Sequence, residues 1–375
     1  MKSYKFSELI EEITEYNTEL KYGLNDIVGV TIEKALIPTI ANLTQTSLEK
    51  FYIVKPNTFV YNPRTHGVRL GMGYNQTERT YITTWNNFAF KVKDTMLDVL
   101  NPDYLWMYFN RSEWDRETNF KAWGSSTIVF SWNIFMDMSI KLPEKSIQDT
   151  LVKQYTIIKN RIELKKKIND NLVKTTDAIF FKMFLERKPE ATISFTDVIQ
   201  LMGGGTPKTE EDSFWNGDIL FFTPKDVSHS PFCISTEKHL TDEGLNNCSS
   251  RLYPQFTTFV TCRGTVGNLA MAGVPMAMNQ SCYALNGKDA FQPLFVFSFT
   301  RYVITTMKKK ASGAVFSALV TRDFEMEKVF EPNIDDANLF QKRVEPIFAR
   351  ILANTKEIQQ LSDLQNALLA QLSSR

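Results

Sequence analysis

From Val344 onward, side chains that favour burial recur at alternating steps of three and four: Val344, Ile347, Ile351, Asn354, Ile358, Leu361, Gln365, Leu368 and Leu372. That spacing is a heptad seam along one helix. The same cadence occurs earlier, at Tyr155, Ile158, Ile162, Lys165, Asn169, Leu172, Thr176, Ile179 and Met183. Each helix could pack on its own globular neighbour. Two seams of equal length in one chain are natural partners, which favours an antiparallel coiled coil. Lys165, Asn169 and Asn354 weaken the seam but can fix its register. Pro346 either starts a helical segment or kinks one. The first helix, over 147–184, would span roughly 57 Å.

Away from these helices the period shortens. Apolar runs at 51–54, 59–61, 81–84, 219–222 and 257–261 read as short strands separated by turn residues. Aromatic segments at 104–111 and 294–307 read as helices. The class is α+β. Self-comparison shows why the pattern comes twice. The stretch from Gly124 to Pro143 recurs from Gly313 to Pro332, an offset of 189 positions. The same offset places Leu151 on Phe340, Tyr155 on Val344, Ile158 on Ile347, Ile162 on Ile351 and Ile179 on Leu368. Backward it places Leu105 on Leu294. Farther upstream the register drifts, with Phe59-Val60 resembling Phe259-Val260 and Phe88-Ala89-Phe90 resembling Tyr283-Ala284-Leu285. The chain reads as a tandem duplication: a globular domain (1–145), a helix (146–190), a second globular domain (191–334) and a second helix (335–375), with pseudo-two-fold symmetry.

Composition narrows the classes. The 43 basic and 42 acidic residues leave a net charge of +1, which neither demands nor forbids a nucleic-acid partner. The four cysteines form no C-x-x-C pair, and the three histidines have no metal-ligand spacing, so no metal site is expected. The opening MKSYKFSELIEEI is charged and amphipathic, unlike a signal peptide, and no apolar run approaches a membrane span. The expectation is a cytoplasmic protein with reduced thiols and no membrane partner.

Three motifs invite chemistry. Gly203 to Thr209 begins like a phosphate loop, but Pro207 lacks the N–H that a cradle needs. Asn101-Pro102-Asp103-Tyr104 approaches the N-P-P-Y motif of DNA adenine methyltransferases. Asp103 stands where a proline is needed, no cofactor fingerprint precedes it, and an Asn-Pro turn opening a helix explains it more simply. The third is a pair of polar loops. Arg263 sits among turn residues after a strand-like run, and Asn279-Gln280 precedes the next one. Arginine suits guanine and Asn or Gln suits adenine in the major groove, although turn chemistry alone could also place them. Arg64, His66 and Arg69 form a basic loop in the first domain, with donors for phosphates or base edges. Lys308 and Lys309 belong to a short charge run that would serve phosphates beside a DNA face.

Taken in order, Gly204-Gly205-Thr206-Pro207, Trp215-Asn216-Gly217-Asp218-Ile219, Thr223-Pro224-Lys225-Asp226, Arg263-Gly264-Thr265-Val266-Gly267 and Asn279-Gln280-Ser281 resemble the signature of the DNA specificity subunit of Type I restriction–modification systems. The first domain lacks Gly-Gly-Thr-Pro and resembles another branch of that family, with Leu70-Gly71-Met72-Gly73 after its basic loop. The resemblance implies two target recognition domains and two spacer helices. It implies a non-catalytic subunit that reads a bipartite, asymmetric site in double-stranded DNA. Two modification subunits would supply S-adenosylmethionine and methylate adenine, so this chain would hold no cofactor. Motor–nuclease subunits would cleave unmethylated DNA, giving a role in phage defence. It also sets Lys208 and Lys225 near phosphates and makes the glycine-rich loop a brace. A free-standing adenine methyltransferase and a coiled-coil scaffold without DNA contact remain the alternatives.

Overall fold

The computed structural model describes residues 1–39, 43, 45–65, 69–122, 128–310 and 318–372. Within them the chain forms two compact units, Met1–Asn160 with Ser362–Arg375, and Arg161–Leu361.

The 189-residue offset is visible in the elements themselves. Helix Phe6–Leu9 has its counterpart in Phe195–Val198, and Trp132–Asp137 in Thr321–Met326. In the first unit strand Lys2–Lys5 pairs with Ser139–Leu142, Lys5 facing Ser139. In the second unit Ile193–Ser194 pairs with Lys328–Val329, Ser194 facing Lys328. Each of those residues is the other's equivalent at the same offset. Both units then build a sheet around a central antiparallel pair. In the first it is Phe59–Tyr61 against Phe88–Val92, and in the second Thr258–Thr261 against Cys282–Gly287.

The ladders correct one detail of the sequence comparison. Ala89 faces Val60, and Ala284 faces Phe259. If Ala89 corresponds to Ala284, then Val60 corresponds to Phe259, one position away from the Phe59–Phe259 match. A strand has period two, so such a slip exchanges its faces and only the ladder decides it.

Aromatic side chains fill the first core. Phe6, Phe59, Phe90, Phe109, Trp114 and Phe135 are fully buried, and Phe59 stacks on Phe90 with centroids 5.1 Å apart. The second core joins Phe195, Phe295, Phe299 and Phe324 from the globular part to Phe340, Val344 and Ile351 from the second long helix.

The long helices are Lys145–Phe180, continued by a π-helical turn Phe181–Leu185, and Ile334–Gln371. The second passes through Pro346 as one element, with Pro346 on its exposed side. All eighteen predicted seam positions are buried or half-buried. In the first unit Tyr155 and Leu151 share a core with Leu368, Leu369 and Leu372. In the second, Phe180 meets Phe340 at 5.5 Å between ring centroids, and Arg161 lies 2.6 Å from Glu357. Partner numbers thus rise on one helix as they fall on the other. Between these contacts lies a polar layer. Lys165 Nζ donates to Asn354 Oδ1 (3.1 Å) and pairs with Glu357 (2.6 Å), while Asn354 Nδ2 donates to Asn169 Oδ1 (2.9 Å). Asn169 and Asn354 are only 5% and 3% exposed, so their amide pair is closed to water, while Glu357 at the edge of the layer stays partly exposed. Lys165 and Asn354 are equivalents at the 189-residue offset, and they touch.

Candidate nucleic-acid interface

The motif loops of the second unit gather at one end of one sheet. Its strand order is Ile199–Gly203, Cys282–Gly287, Thr258–Thr261, Leu269–Ala272, Phe232–Cys233. Gly203 faces Tyr283, Thr261 faces Cys282, and Val260 faces Leu269. The segments 204–208, 279–281 and 262–268 therefore all leave the sheet on the same side, carrying Lys208, Asn279, Gln280 and Arg263. A smaller sheet, Lys238–Leu240, Trp215–Phe222 and Ala277–Met278, delivers Lys225 through the turn after Phe222.

The glycines are needed because backbones approach closely there. A Cβ on Gly204 would collide with the carbonyl oxygens of Met278 and Asn279, and one on Gly205 with Ser249. Gly205 N–H donates to Met278 O (3.2 Å), and Thr206 Oγ1 donates to Gln280 Oε1. Trp215 Nε1 anchors the far side by donating to Lys208 O (3.1 Å). The Thr223–Asp226 turn closes on itself, Asp226 Oδ2 accepting from Thr223 N–H (2.8 Å) and Oγ1 (2.7 Å). The segment that looked like a phosphate cradle is a brace for the neighbouring loop.

The Arg263 loop is similarly fixed. Gly264 and Gly267 have φ of +77° and +73°, conformations that glycine adopts without a steric cost. Gly267 N–H donates to Thr261 O (2.8 Å) and Asn268 N–H to Thr261 Oγ1 (3.0 Å). Arg263, Gly264 and Thr265 remain exposed at the tip.

The predicted site residues fall into distinct situations. Lys208, Lys225, Arg263, Gln280 and Lys309 are exposed on the second unit. Asn279 is half-buried, and its Oδ1 accepts from Ser281 N–H (3.0 Å), so it shapes the turn. Lys308 Nζ donates to Gly267 O (2.8 Å) and clamps the Arg263 loop, a role its charge run did not announce. In the first unit Arg64 is exposed at a strand Arg64–Thr65, and His66 lies outside the described residues. Arg69 reaches Asp115 (Nε to Oδ2, 3.7 Å), which also pairs with Lys34 (2.7 Å). Burial holds the Lys34 ammonium below its usual pKa despite that partner. Gly73, after the basic loop, has no room for a Cβ because Leu36 packs there.

The methyltransferase-like tetrad is a helix start. Asn101 Oδ1 accepts from Asp103 N–H (2.8 Å), Pro102 occupies the first turn of helix Pro102–Phe109, and Tyr104 is 1% exposed. Cys233 and Cys262 are buried thiols pushed up to about 12 by desolvation, and the cysteines are unpaired. Among the described residues no group of His, Cys, Asp and Glu could hold a metal ion, and no helix is long and apolar enough to cross a membrane.

Residues 190–363 match the family described as the Type I restriction modification DNA specificity domain. The MjaIX specificity subunit of Methanocaldococcus jannaschii is 29% identical over 127 residues, 33% of this chain and 29% of that protein. The HindI specificity subunit of Haemophilus influenzae is 27% identical over 186 residues, 48% of this chain and 40% of that protein. These alignments span less than half of the curated relatives' length. The crystal structure of a type I restriction–modification S subunit from M. genitalium covers 99% of this chain and 95% of its own, with TM-score 0.57 and 14% identity, a likeness of fold. Residues 190–363 thus belong to the Type I restriction modification DNA specificity domain family, and the chain is similar to curated specificity subunits of Type I restriction enzymes.

Proposed function

We propose that this chain is the DNA-reading, non-catalytic subunit of a restriction–modification assembly. The observation that carries the reading is the convergence of the 204–208, 262–268 and 279–281 loops at one sheet end, with Lys208, Arg263 and Gln280 exposed. Arg263 and Gln280 are the candidates for base edges, and Lys208, Lys225 and Lys309 for phosphates. Arg64 and Arg69 would do the same work in the first recognition domain, with His66 beside them. The two domains, 1–145 and 191–334, would read two half-sites held apart by the helices 146–190 and 335–375, paired as an antiparallel coiled coil. Pseudo-two-fold symmetry would set its axis where a residue meets its own equivalent, and the contact of Lys165 with Asn354, equivalents at the 189-residue offset, supports that reading. The site would then be bipartite and asymmetric, because the domains share a scaffold and differ in their loops. Two modification subunits would dock about that axis, bring S-adenosylmethionine and methylate adenine; motor–nuclease subunits would complete restriction in the cytoplasm.

A free-standing methyltransferase is disfavoured because Asn101 and Tyr104, which would have to hold a flipped base, are used in capping and in the core. The test exchanges residues 191–334 for the corresponding domain of another specificity subunit, expressed with its modification subunits. One half of the methylated motif should change and the other stay. A motif unchanged by the exchange would refute the reading.

A further inference from the structure

An open cleft of about 620 Å³ lies in the second unit, between the first long helix, helix Pro293–Lys310 and two loops, 228–231 and 267–269. Its position follows from the sheet. Leu269–Ala272 begins at the end where the motif loops emerge, and Phe232–Cys233 runs parallel to it, Phe232 facing Met271. Both cleft loops therefore continue the same rim, and 267–268 is the closing part of the Arg263 loop.

The lining is cationic. Lys174, Arg301 and Lys308 face it together with the His229 ring, and the lining holds one carboxylate, Asp170. Asp170 Oδ1 lies 2.7 Å from His229 Nε2, Asp177 Oδ2 lies 3.2 Å from Arg301, and Lys308 is held by Gly267 O. Asp170 and Asp177 are seven residues apart on the first long helix, so one helix face fixes the His229 ring and the Arg301 guanidinium. A guanidinium has five N–H donors and an ammonium three, and these pairings fix the groups without exhausting them. Lys174 is exposed. The cleft thus offers an excess of positive donors beside loops proposed to read bases, with too few carboxylates for a metal ion.

We infer that this cleft binds phosphodiester groups of the DNA backbone flanking the second half-site, as an electrostatic extension of the reading rim that contacts no base. The inference rests on the DNA-reading function proposed above. Backbone contacts of this kind fix position without regard to sequence and appear as salt dependence.

The experiment uses the full chain and a random-sequence duplex, with affinity measured by fluorescence anisotropy over a salt series. Lys174→Ala, Lys174→Glu and Arg301→Gln are compared with the wild type, and circular dichroism checks that each variant is folded. Each lost phosphate contact should lower the slope of log affinity against log salt by about 0.9. Lys174→Glu should weaken binding further than Lys174→Ala. If the wild type binds with a salt slope and the folded variants keep both affinity and slope, the cleft is not a DNA site. Inorganic phosphate titrated alone separates the sources: saturable binding abolished by Arg301→Gln, with an unchanged duplex slope, would assign the cleft to free phosphate and overturn the inference. A wild-type chain with no duplex affinity at any salt would sink the DNA-reading function as well.

Discussion

Replacing Asn354 by Ala probes the polar layer between the long helices. Asn354 is 3% exposed and its carboxamide is used at both ends, donating to Asn169 and accepting from Lys165. Truncation removes both bonds and leaves Asn169 Oδ1, on a residue 5% exposed, without that donor. A buried polar group stripped of its partner costs about 1–3 kcal/mol, and two lost bonds put the expected loss near the upper part of that range. Lys165 keeps Glu357, so its charge stays paired and adds little. Changing both asparagines to Leu removes donor and acceptor together, so the pair should cost less than Asn354→Ala alone. The assay is urea unfolding, with Trp215 as the sole tryptophan of the second unit, together with hydrogen exchange of helix peptides covering 161–180. The expected result is a lowered midpoint and faster exchange in those peptides for Asn354→Ala, largely recovered in the double Leu variant. A single variant within about 0.5 kcal/mol of wild type, the range of ordinary surface changes, would refute the claim that the Asn169–Asn354 pair is closed and mutually satisfied.

Gly204→Ala should destabilise the second unit by about 1–3 kcal/mol, because the new methyl meets backbone carbonyls that cannot swing aside, whereas Gly203→Ala has open space and should be mild; thermal unfolding compares them. Arg263→Ala should cost about 1–3 kcal/mol on the cognate site if the guanidinium is bidentate to a guanine, with relaxed discrimination at one position. An equal loss on random DNA would make Arg263 a phosphate ligand instead. Calorimetry of the purified chain with S-adenosylmethionine should show no binding, and micromolar affinity would overturn the non-catalytic assignment.

Much of the scaffold was legible in the sequence because its signals are periodic. A heptad seam constrains every third or fourth residue, and burial follows it through all eighteen positions, including Lys165, Asn169 and Thr176. The strand at Phe59–Tyr61 and the helix at Pro102–Phe109 were likewise bounded by strong turn chemistry. What the seam could not say was which residue each polar member would meet, since that depends on the partner helix's register. The strand register failed for a related reason: Phe59-Val60 and Phe259-Val260 are locally alike, and only the cross-strand partner tells them apart. The site was legible as loops but not as roles. Lys308 reads as a solvated charge, yet it clamps a carbonyl 41 residues earlier in the chain. Gln280 reads as a free carboxamide, yet it accepts from Thr206. Such side chain to loop contacts join residues with no periodic relation, so composition and spacing leave no trace of them. His229 and Asp170 come from different elements and meet only once the helix is docked.

The central claim is that this chain decides where adenine is methylated. Its most direct test is methylome sequencing of otherwise identical cells with and without the gene. The account predicts that one bipartite, asymmetric motif loses its adenine methylation when the gene is removed and regains it on complementation. A methylome that stays the same in both strains, with the modification subunits expressed, would contradict it.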